Sequence, residues 1–264
     1  MVSDNELEGT EAPLLDHLIE LRRRLLYCVL ALVLAFAVCF YFVKPIYGFL
    51  VNPLAQAGQD KLVFTSIMGG FFVELKVAFF AAVMVAFPIV AVQLWQFVAP
   101  GLYRKEKKAL LPFLLATPAL FIAGASLAYW VTIPTALHFL LGYQGQLGGG
   151  VEQVALPDAE KYLGFVMQFL FAFGISFLLP VLLMLLERAG IVTYEQLKGA
   201  WRYSVVAAFA IAAVLTPPDI GSQLLLAIPL CGLYFLSLVA IWFTRRRREK
   251  ESEKEAAAEA AAGE

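Results

Sequence analysis

Residues 97–112, "FVAPGLYRKEKKALLP", join two long apolar runs across a short basic junction. The junction carries four Lys and Arg residues, with a single acid, Glu106, among them. Apolar runs of about 20 residues are long enough to cross the hydrocarbon core of a bilayer as helices. The stretch therefore predicts a membrane hairpin whose connecting loop lies in water.

The composition extends this prediction to the whole chain. Of its 264 residues, 61% are hydrophobic and only 16% are charged, and the mean hydropathy is +0.77. A water-soluble domain carries about 25% charged residues, so the apolar excess here has to be solvated by lipid. The net charge of −1 gives no indication of a nucleic-acid partner.

Six apolar segments predict an all-α integral membrane protein with six transmembrane helices. The fifth segment is short and is joined to the sixth by "LTPPDIGSQ", so this hairpin is expected to fall short of a full bilayer thickness. Residues 1–243 are predicted to form a single polytopic membrane domain that begins with a cytoplasmic interfacial helix. The charged, Ala-rich residues 244–264 are predicted to be a disordered cytoplasmic tail. The predicted spans are 24–43, 76–99, 110–134, 162–186, 203–216 and 223–243.

The positions of the basic residues predict the orientation. All but four of the 20 Lys and Arg residues lie before the first span, between spans two and three, between spans four and five, or after the sixth span. Cytoplasmic loops carry the excess of Lys and Arg, so both termini are predicted to be cytoplasmic.

Prolines recur within the apolar segments, and each removes a backbone donor and tends to kink a helix. We therefore predict Pro-kinked helices and a concave receptor shape. The prolines concerned are Pro88, Pro118, Pro134, Pro180 and Pro229.

Several functional classes lack their expected residues. The first five predicted spans contain no Asp, Glu, Lys or Arg at membrane depth, which disfavours an ion-coupled carrier or proton relay. The sequence has no HExxH, GxSxG or GxxxxGK[ST] motif, and its three cysteines lie in apolar runs without metal-ligand spacing. We predict no enzymatic activity, no catalytic residue, no metal site and no cofactor.

The most informative ionisable residues flank the predicted spans. Glu20 lies in "PLLDHLIELRRRLL", whose leucines recur at helical spacing and predict an interfacial helix leading into the first span. Two interpretations of Glu20 remain open here: an i,i+4 pair with Arg24, or a binding residue. Glu106 is likewise either a solvated acid among cations or a functional carboxylate.

Four segments together resemble the TatC family, the receptor subunits of the twin-arginine protein translocase. They are "HLIELRRRLL", "FVAPGLYRKEKK", "FAFGISFLLPV" and "LTPPDIGSQLLLAIP", and the resemblance extends over about residues 14–243.

The resemblance implies a signal-peptide receptor and core translocase subunit in the cytoplasmic (inner) membrane. Members of the family recognise signal peptides with consecutive arginines, act with the single-span subunits TatA and TatB and with other copies of themselves, and export folded proteins using the protonmotive force. It further implies that Glu20 and Glu106 bind the arginine pair, with Arg22, Phe97 and Tyr103 nearby. Carboxylates suit this task because they accept bidentate hydrogen bonds from guanidinium groups.

Four further residues match positions that the family tends to keep: Pro53, Asp158, Asp219 and Gln223. Turn formation and helix capping are equally good interpretations of them. The sequence departs from the family at Leu178, where many members have a glutamate within span four.

The alternative function is a small-solute transporter or channel.

Overall fold

The computed structural model describes residues 4–102, 107–147, 151–216 and 220–262. Within these ranges the chain is almost entirely helical. Five helical segments are long and apolar enough to cross a membrane, and a sixth apolar helix is shorter, so the chain is a multi-pass membrane protein. The five segments are Leu18–Tyr41, Gly69–Phe97, Phe113–Leu141, Ala159–Arg188 and Ile220–Arg246, and the shorter helix is Trp201–Leu215.

The helices form two compact units. One comprises Met1–Ala119 and Gln144–Met167, and the other comprises Leu120–Tyr143 and Gln168–Glu264. The helices are α1 (Asp4–Tyr41), α2 (Val43–Gln56), α3 (Gly69–Leu102), α4 (Lys107–Leu127), α5 (Ile133–Leu141), α6 (Ala159–Ser176), α7 (Leu179–Arg188), α8 (Tyr194–Gly199), α9 (Trp201–Leu215) and α10 (Ile220–Ala262).

In the first unit, α1 packs along α3. Cys39 of α1 is buried against Ala81 and Ala82 of α3. Small residues allow two helix backbones to approach closely, which is how helices gain packing energy in lipid, where no hydrophobic driving force acts between them. This packing brings the polar residues near the other end of α1 beside α3.

The start of α6 is fixed by Asp158. The Lys161 backbone N–H donates to Asp158 Oδ1 at 3.0 Å, and the Thr65 hydroxyl donates to Oδ2 at 2.8 Å. The first contact is the helix-capping role that the sequence offered for Asp158. These two hydrogen bonds, the Lys161 bond first, hold the pKa of the Asp158 carboxyl below its usual value.

We expect Asp158→Ala to lower the melting temperature of the detergent-solubilised protein at pH 7. The folded state favours the Asp158 carboxylate, so this stabilisation is present above the unfolded-state pKa of about 3.9 and is lost as pH falls through the lowered folded-state pKa. Thermal unfolding followed across pH should therefore show a gap between wild type and variant that narrows in acid. Asp60→Ala, at an exposed aspartate of the same unit, is the control; an equal effect of both substitutions would contradict the capping role.

In the second unit, two glycines allow α4 and α6 to pack closely. A Cβ atom at Gly124 would lie 2.5 Å from the Phe173 carbonyl oxygen and 2.8 Å from the Phe177 ring. A Cβ at Gly174 would lie 2.6 Å from the ring of Phe121, which is fully buried. Both positions therefore require the absence of a side chain.

We expect Gly124→Ala to reduce the stability of the folded protein by about 1–3 kcal/mol, the usual cost of overpacking. The obstacle is a main-chain oxygen, which cannot move aside as the end of a flexible side chain can. Gly164→Ala on α6 is the matched control, because a Cβ there meets nothing within 4 Å. Both melting temperatures are measured in detergent. Equal melting temperatures of the two variants would refute the steric argument.

Two of the prolines coincide with interruptions of the predicted spans. Before Pro180, the chain leaves α6 at Ser176 and resumes as α7 at Leu179. Pro134 lies at the start of α5, directly after a five-residue π-helical segment, Ala128–Thr132. A proline in the first turn of a helix needs no N–H partner, so a helix restarts at low cost there.

Several local predictions differ from the structure. The predicted spans 24–43 and 76–99 leave a loop between them, but α2 covers Val43–Gln56 and α3 already begins at Gly69. The chain is also not purely helical, since Gly145–Leu147 and Val151–Gln153 form an antiparallel hairpin. The end of α2 explains the first difference: at Gly58, with φ +88°, the Gly58 and Gln59 N–H groups bond the Ala55 and Leu54 carbonyls and close the helix.

The C-terminal tail also differs from its prediction. The backbone of α10 continues to Ala262, whereas the sequence predicts disorder after residue 243. Alanine, glutamate and arginine dominate this tail and are strong helix formers, so the helix can extend past the apolar segment. The division into one membrane domain and one tail stays a prediction.

Candidate functional site

The polar site at the predicted cytoplasmic end of α1 is built around Arg24. Its Nε donates to Glu20 Oε1 at 2.9 Å, and a terminal nitrogen of the same guanidinium forms a short ion pair with that oxygen. The Arg24 side chain is 15% exposed and that of Glu20 is 28% exposed. This is the i,i+4 pair that the sequence left open, and its partial burial makes it stronger than a surface pair.

Arg24 also connects α1 to α3. The other terminal nitrogen donates to Gln96 Oε1 at 2.7 Å and to Gln93 Oε1 at 3.3 Å. The guanidinium therefore meets a carboxylate on its own helix and two amide oxygens on the next one. Phe97 follows at the i+4 position from Gln93, so it lies on the same side of α3 as Gln93.

The same part of α3 is also hydrogen-bonded to α4. Trp95 Nε1 donates to the Thr117 hydroxyl at 2.8 Å, and this hydroxyl donates to the Phe113 carbonyl at 2.7 Å. Thr117 is buried. The segment that carries the two glutamines is thus held from α1 on one side and from α4 on the other.

The other residues predicted to bind signal peptides are less well defined. Arg22 is exposed on α1, and two helical residues turn the chain by about 200°, so Arg22 faces away from Glu20. Tyr103 and Glu106 lie outside the described residues. The structure thus brings together Glu20, Arg24 and the α3 face that carries Phe97.

Of the four further positions noted in the sequence, the structure describes three. Pro53 is buried inside α2 and not in a turn, and Gln223 of α10 donates to the Phe209 carbonyl of α9 at 3.4 Å. Asp219 lies outside the described residues. Leu178, where the resemblance implies a glutamate in many members, lies in the break between α6 and α7.

Gln93 and Gln96 are site residues that the sequence did not assign to the site. In the sequence they are two amides within an apolar run. Their spacing of three residues was the available signal, because it places both on one side of a helix. Nothing in the sequence indicated that Arg24 of another helix would meet them.

Comparison with known proteins shows the family. The model of the Sec-independent protein translocase protein (TatC) family matches residues 16–229. The chain belongs to the TatC family. It is 44% identical over 244 residues to the Sec-independent protein translocase protein TatC of Magnetococcus marinus, covering 91% of this chain and 88% of that protein. It is 38% identical to the TatC protein of Escherichia coli (strain K12), with 90% of each chain covered.

Solved structures show the same fold. A crystal structure of the twin-arginine translocase receptor TatC matches with a TM-score of 0.74 and 36% identity, covering 84% of this chain and 96% of that one. A second crystal structure of that receptor, in the detergent DDM, matches with a TM-score of 0.76, also at 36% identity, over 85% and 98% of the two chains. The resemblance found in the four sequence segments is therefore confirmed. Membership in this family of transport proteins also agrees with the prediction that the chain is not an enzyme.

Among the described residues of this TatC-family chain, no group of three or more His, Cys, Asp and Glu side chains could hold a metal ion. The polar cluster around Arg24 instead offers hydrogen bonds and charge, which suits recognition of a peptide group.

We expect Arg24→Gln to lower the stability of the folded protein by about 1–2 kcal/mol. Hydrogen bonds to charged groups contribute about 1.5–3 kcal/mol, and water reaching the partly exposed Glu20 offsets some of the loss. Thermal unfolding in detergent measures the effect. Arg23→Gln removes the same charge from the exposed neighbouring position and should leave the melting temperature nearly unchanged; a drop as large as that of Arg24→Gln would contradict the role of the contacts between α1 and α3.

Proposed function

We propose that this TatC-family protein is the signal-peptide receptor and core subunit of a twin-arginine translocase in the cytoplasmic membrane. It exports folded proteins that carry an Arg-Arg signal, and the protonmotive force supplies the energy. The two solved relatives are named as twin-arginine translocase receptors, which supports the assignment.

The observation that carries the proposal is the guanidinium cluster of Glu20, Arg24, Gln93 and Gln96. This site already holds one guanidinium with a charged carboxylate and two amide oxygens. An arginine of a signal peptide presents the same planar group with the same donors. It binds here by sharing the Glu20 carboxylate with Arg24 or by replacing Arg24 on it.

Glu106 completes the proposed site. It directly precedes Lys107, the first residue of α4, and α4 is the helix that Thr117 joins to α3. One acid from α1 and one from the link before α4 would give each of two consecutive arginines its own carboxylate. Phe97 and Tyr103 would contact the apolar part of the peptide, while the part played by Arg22 stays a prediction.

In the proposed arrangement the chain has six spans with both termini in the cytoplasm. The short helix α9 counts as the fifth span, and at 1.5 Å per residue its 15 residues reach only about 22 Å, so the bilayer thins around it. TatA- and TatB-type subunits and further copies of this chain are the proposed partners. The alternative, a small-solute transporter or channel, is not favoured by the family comparison.

We expect Glu20→Gln and Glu106→Gln each to weaken capture of an Arg-Arg signal peptide, and the double variant to weaken it further. A neutral amide loses the charge-assisted hydrogen bonds, each of which contributes about 1.5–3 kcal/mol, or roughly tenfold or more in affinity. The measurement is binding of a labelled signal peptide to the purified protein in nanodiscs, together with export of a folded reporter in cells.

Glu187→Gln is the matched control, because Glu187 is another partly buried acid beside an arginine, with Arg245 at 3.9 Å. It should leave capture unchanged. A signal with Lys-Lys in place of Arg-Arg should bind weakly to the wild type, since an ammonium group cannot make the bidentate contact. Normal capture and export by the double variant would refute the proposed site.

A further inference from the structure

The second unit carries two adjoining grooves that the proposed signal-peptide site does not use. One, of about 470 Å³, is lined by Tyr194, Lys198, Trp201, Phe235, Leu238 and Val239. The other, of about 440 Å³, is lined by Tyr194, Glu195, Trp242, Arg245 and Arg246. Tyr194 is common to both, so an apolar groove adjoins a polar one.

A single stripe of α10 forms one wall of both grooves. Along this stripe the residues recur at spacings of three and four, which places them on one side of the helix. From its apolar end to its basic end the stripe reads Phe235, Leu238, Val239, Trp242, Arg245 and Arg246. Arg245 follows Phe235 by ten residues, which corresponds to about 15 Å along the helix, roughly the thickness of one hydrocarbon leaflet.

The opposite wall is held in place by several contacts. Gly190, with φ +73°, ends α7, and Thr193 with Gln196 caps α8 through reciprocal side-chain hydrogen bonds. The hydroxyl of buried Tyr234 donates a short hydrogen bond to the Leu197 carbonyl, which fixes α8 against α10. The grooves are therefore part of a packed scaffold.

The arginines of the polar groove are held on aromatic rings. The Arg246 guanidinium carbon lies 5.3 Å from the Trp242 ring centroid, and that of Arg245 lies 5.6 Å from the Tyr194 centroid. A cation–π contact of this kind takes up no N–H donor of the guanidinium in a hydrogen bond, so these donors can serve a ligand. Arg245 also lies 3.9 Å from Glu187, a long and weak contact. An edge of this kind suits a phosphate, which accepts bidentate hydrogen bonds.

The position of the two grooves along the apolar segment of α10 suits an amphipathic ligand. The apolar segment of α10 ends at Arg246, so the two arginines lie at the level of the lipid headgroups. Trp201, Trp242 and Tyr194 are the residue types that concentrate at this level. Phe235, Leu238 and Val239 lie deeper, where acyl chains are found.

We propose that the two grooves form a binding site for an anionic phospholipid, with its phosphate at Arg245 and Arg246 and an acyl chain along Phe235 and Val239. Basic pockets between membrane helices bind anionic headgroups in this manner. The site is independent of the proposed signal-peptide recognition, since none of its residues belongs to the Glu20 cluster.

The test is lipid binding to the purified full-length protein in detergent, measured by native mass spectrometry. The probes are phosphatidylglycerol, phosphatidylcholine with the same acyl chains, and glycerol 3-phosphate as the free headgroup anion. Wild type should bind phosphatidylglycerol most tightly. Each arginine near an anionic lipid contributes about fivefold in affinity, so Arg246→Gln should weaken binding about fivefold and Arg245→Gln with Arg246→Gln about 25-fold.

Arg23→Gln, which removes one positive charge from α1, is the control and should leave phosphatidylglycerol binding unchanged. Val239→Trp, at an exposed position, fills the apolar groove and should weaken binding of both lipids without affecting the melting temperature measured in detergent alone. Because it leaves both arginines in place, it also tests the site if the arginine variants fail to fold.

Four results would overturn the proposal. Equal affinity of the wild type for the two lipids would remove the headgroup selectivity, and unchanged binding by the double arginine variant would remove the site. Binding of glycerol 3-phosphate as tight as that of phosphatidylglycerol would assign the polar groove to a free phosphate. Displacement of the bound lipid by an apolar single-span helix would assign the grooves to a protein partner.

Discussion

The absence of water in the hydrocarbon core constrains this structure more than any other factor. A backbone N–H or C=O group without a partner there costs several kcal/mol, so the chain has to form helices wherever it crosses lipid. The same requirement governs side chains within the spans. Hydroxyl groups donate to the carbonyl four residues earlier, and those that do so include Thr117, Ser176, Ser237 and Thr244. As a result, the polar interactions available for recognition lie at the ends of the helices.

Near the start of the first apolar segment, Leu18–Tyr41, this constraint produces the Arg24 cluster. An arginine near the membrane cannot remain partly buried without acceptors, and Glu20, Gln93 and Gln96 supply them. The cluster therefore stabilises the packing of α1 on α3 even without a ligand. Under the proposed function, a signal-peptide arginine would enter a site that is already adapted to a guanidinium, so that binding would be an exchange between similar groups and not the filling of an empty site.

The sequence was sufficient to predict most of the fold, because hydropathy follows directly from the lipid constraint. The apolar segments of spans one to four and six are found where they were expected, with ends that differ by several residues. It could not predict α2 or the hairpin at Gly145–Leu147, because neither depends on burial in lipid. Local hydrogen bonds determine both, such as those that end α2 at Gly58.

The candidate site was only partly predictable for a related reason. Helical periodicity is visible in the sequence, so the pairing of Glu20 with Arg24 was one of its two predicted interpretations. The contact of Arg24 with α3 joins residues about 70 positions apart, and no local pattern encodes it. Family resemblance drew attention to Glu20 and Phe97 but not to the glutamines, whose role depends on the packing of these two helices.

Two arginines near the ends of apolar segments, Arg24 and Arg246, illustrate how neighbouring side chains determine what an arginine binds. Arg24 is surrounded by oxygen acceptors, which occupy the N–H edge of its guanidinium and make it a structural cation. The Arg246 guanidinium carbon instead lies 5.3 Å from the Trp242 ring centroid, and a cation–π contact takes up none of its N–H donors. The first arrangement presents a carboxylate to a second guanidinium, whereas the second presents a guanidinium to an anion. In our proposals, the aromatic residues beside Arg245 and Arg246 therefore suit the end of the apolar segment Ile220–Arg246 to an anionic headgroup, whereas the carboxylate and amides around Arg24 suit the start of the segment Leu18–Tyr41 to a peptide arginine.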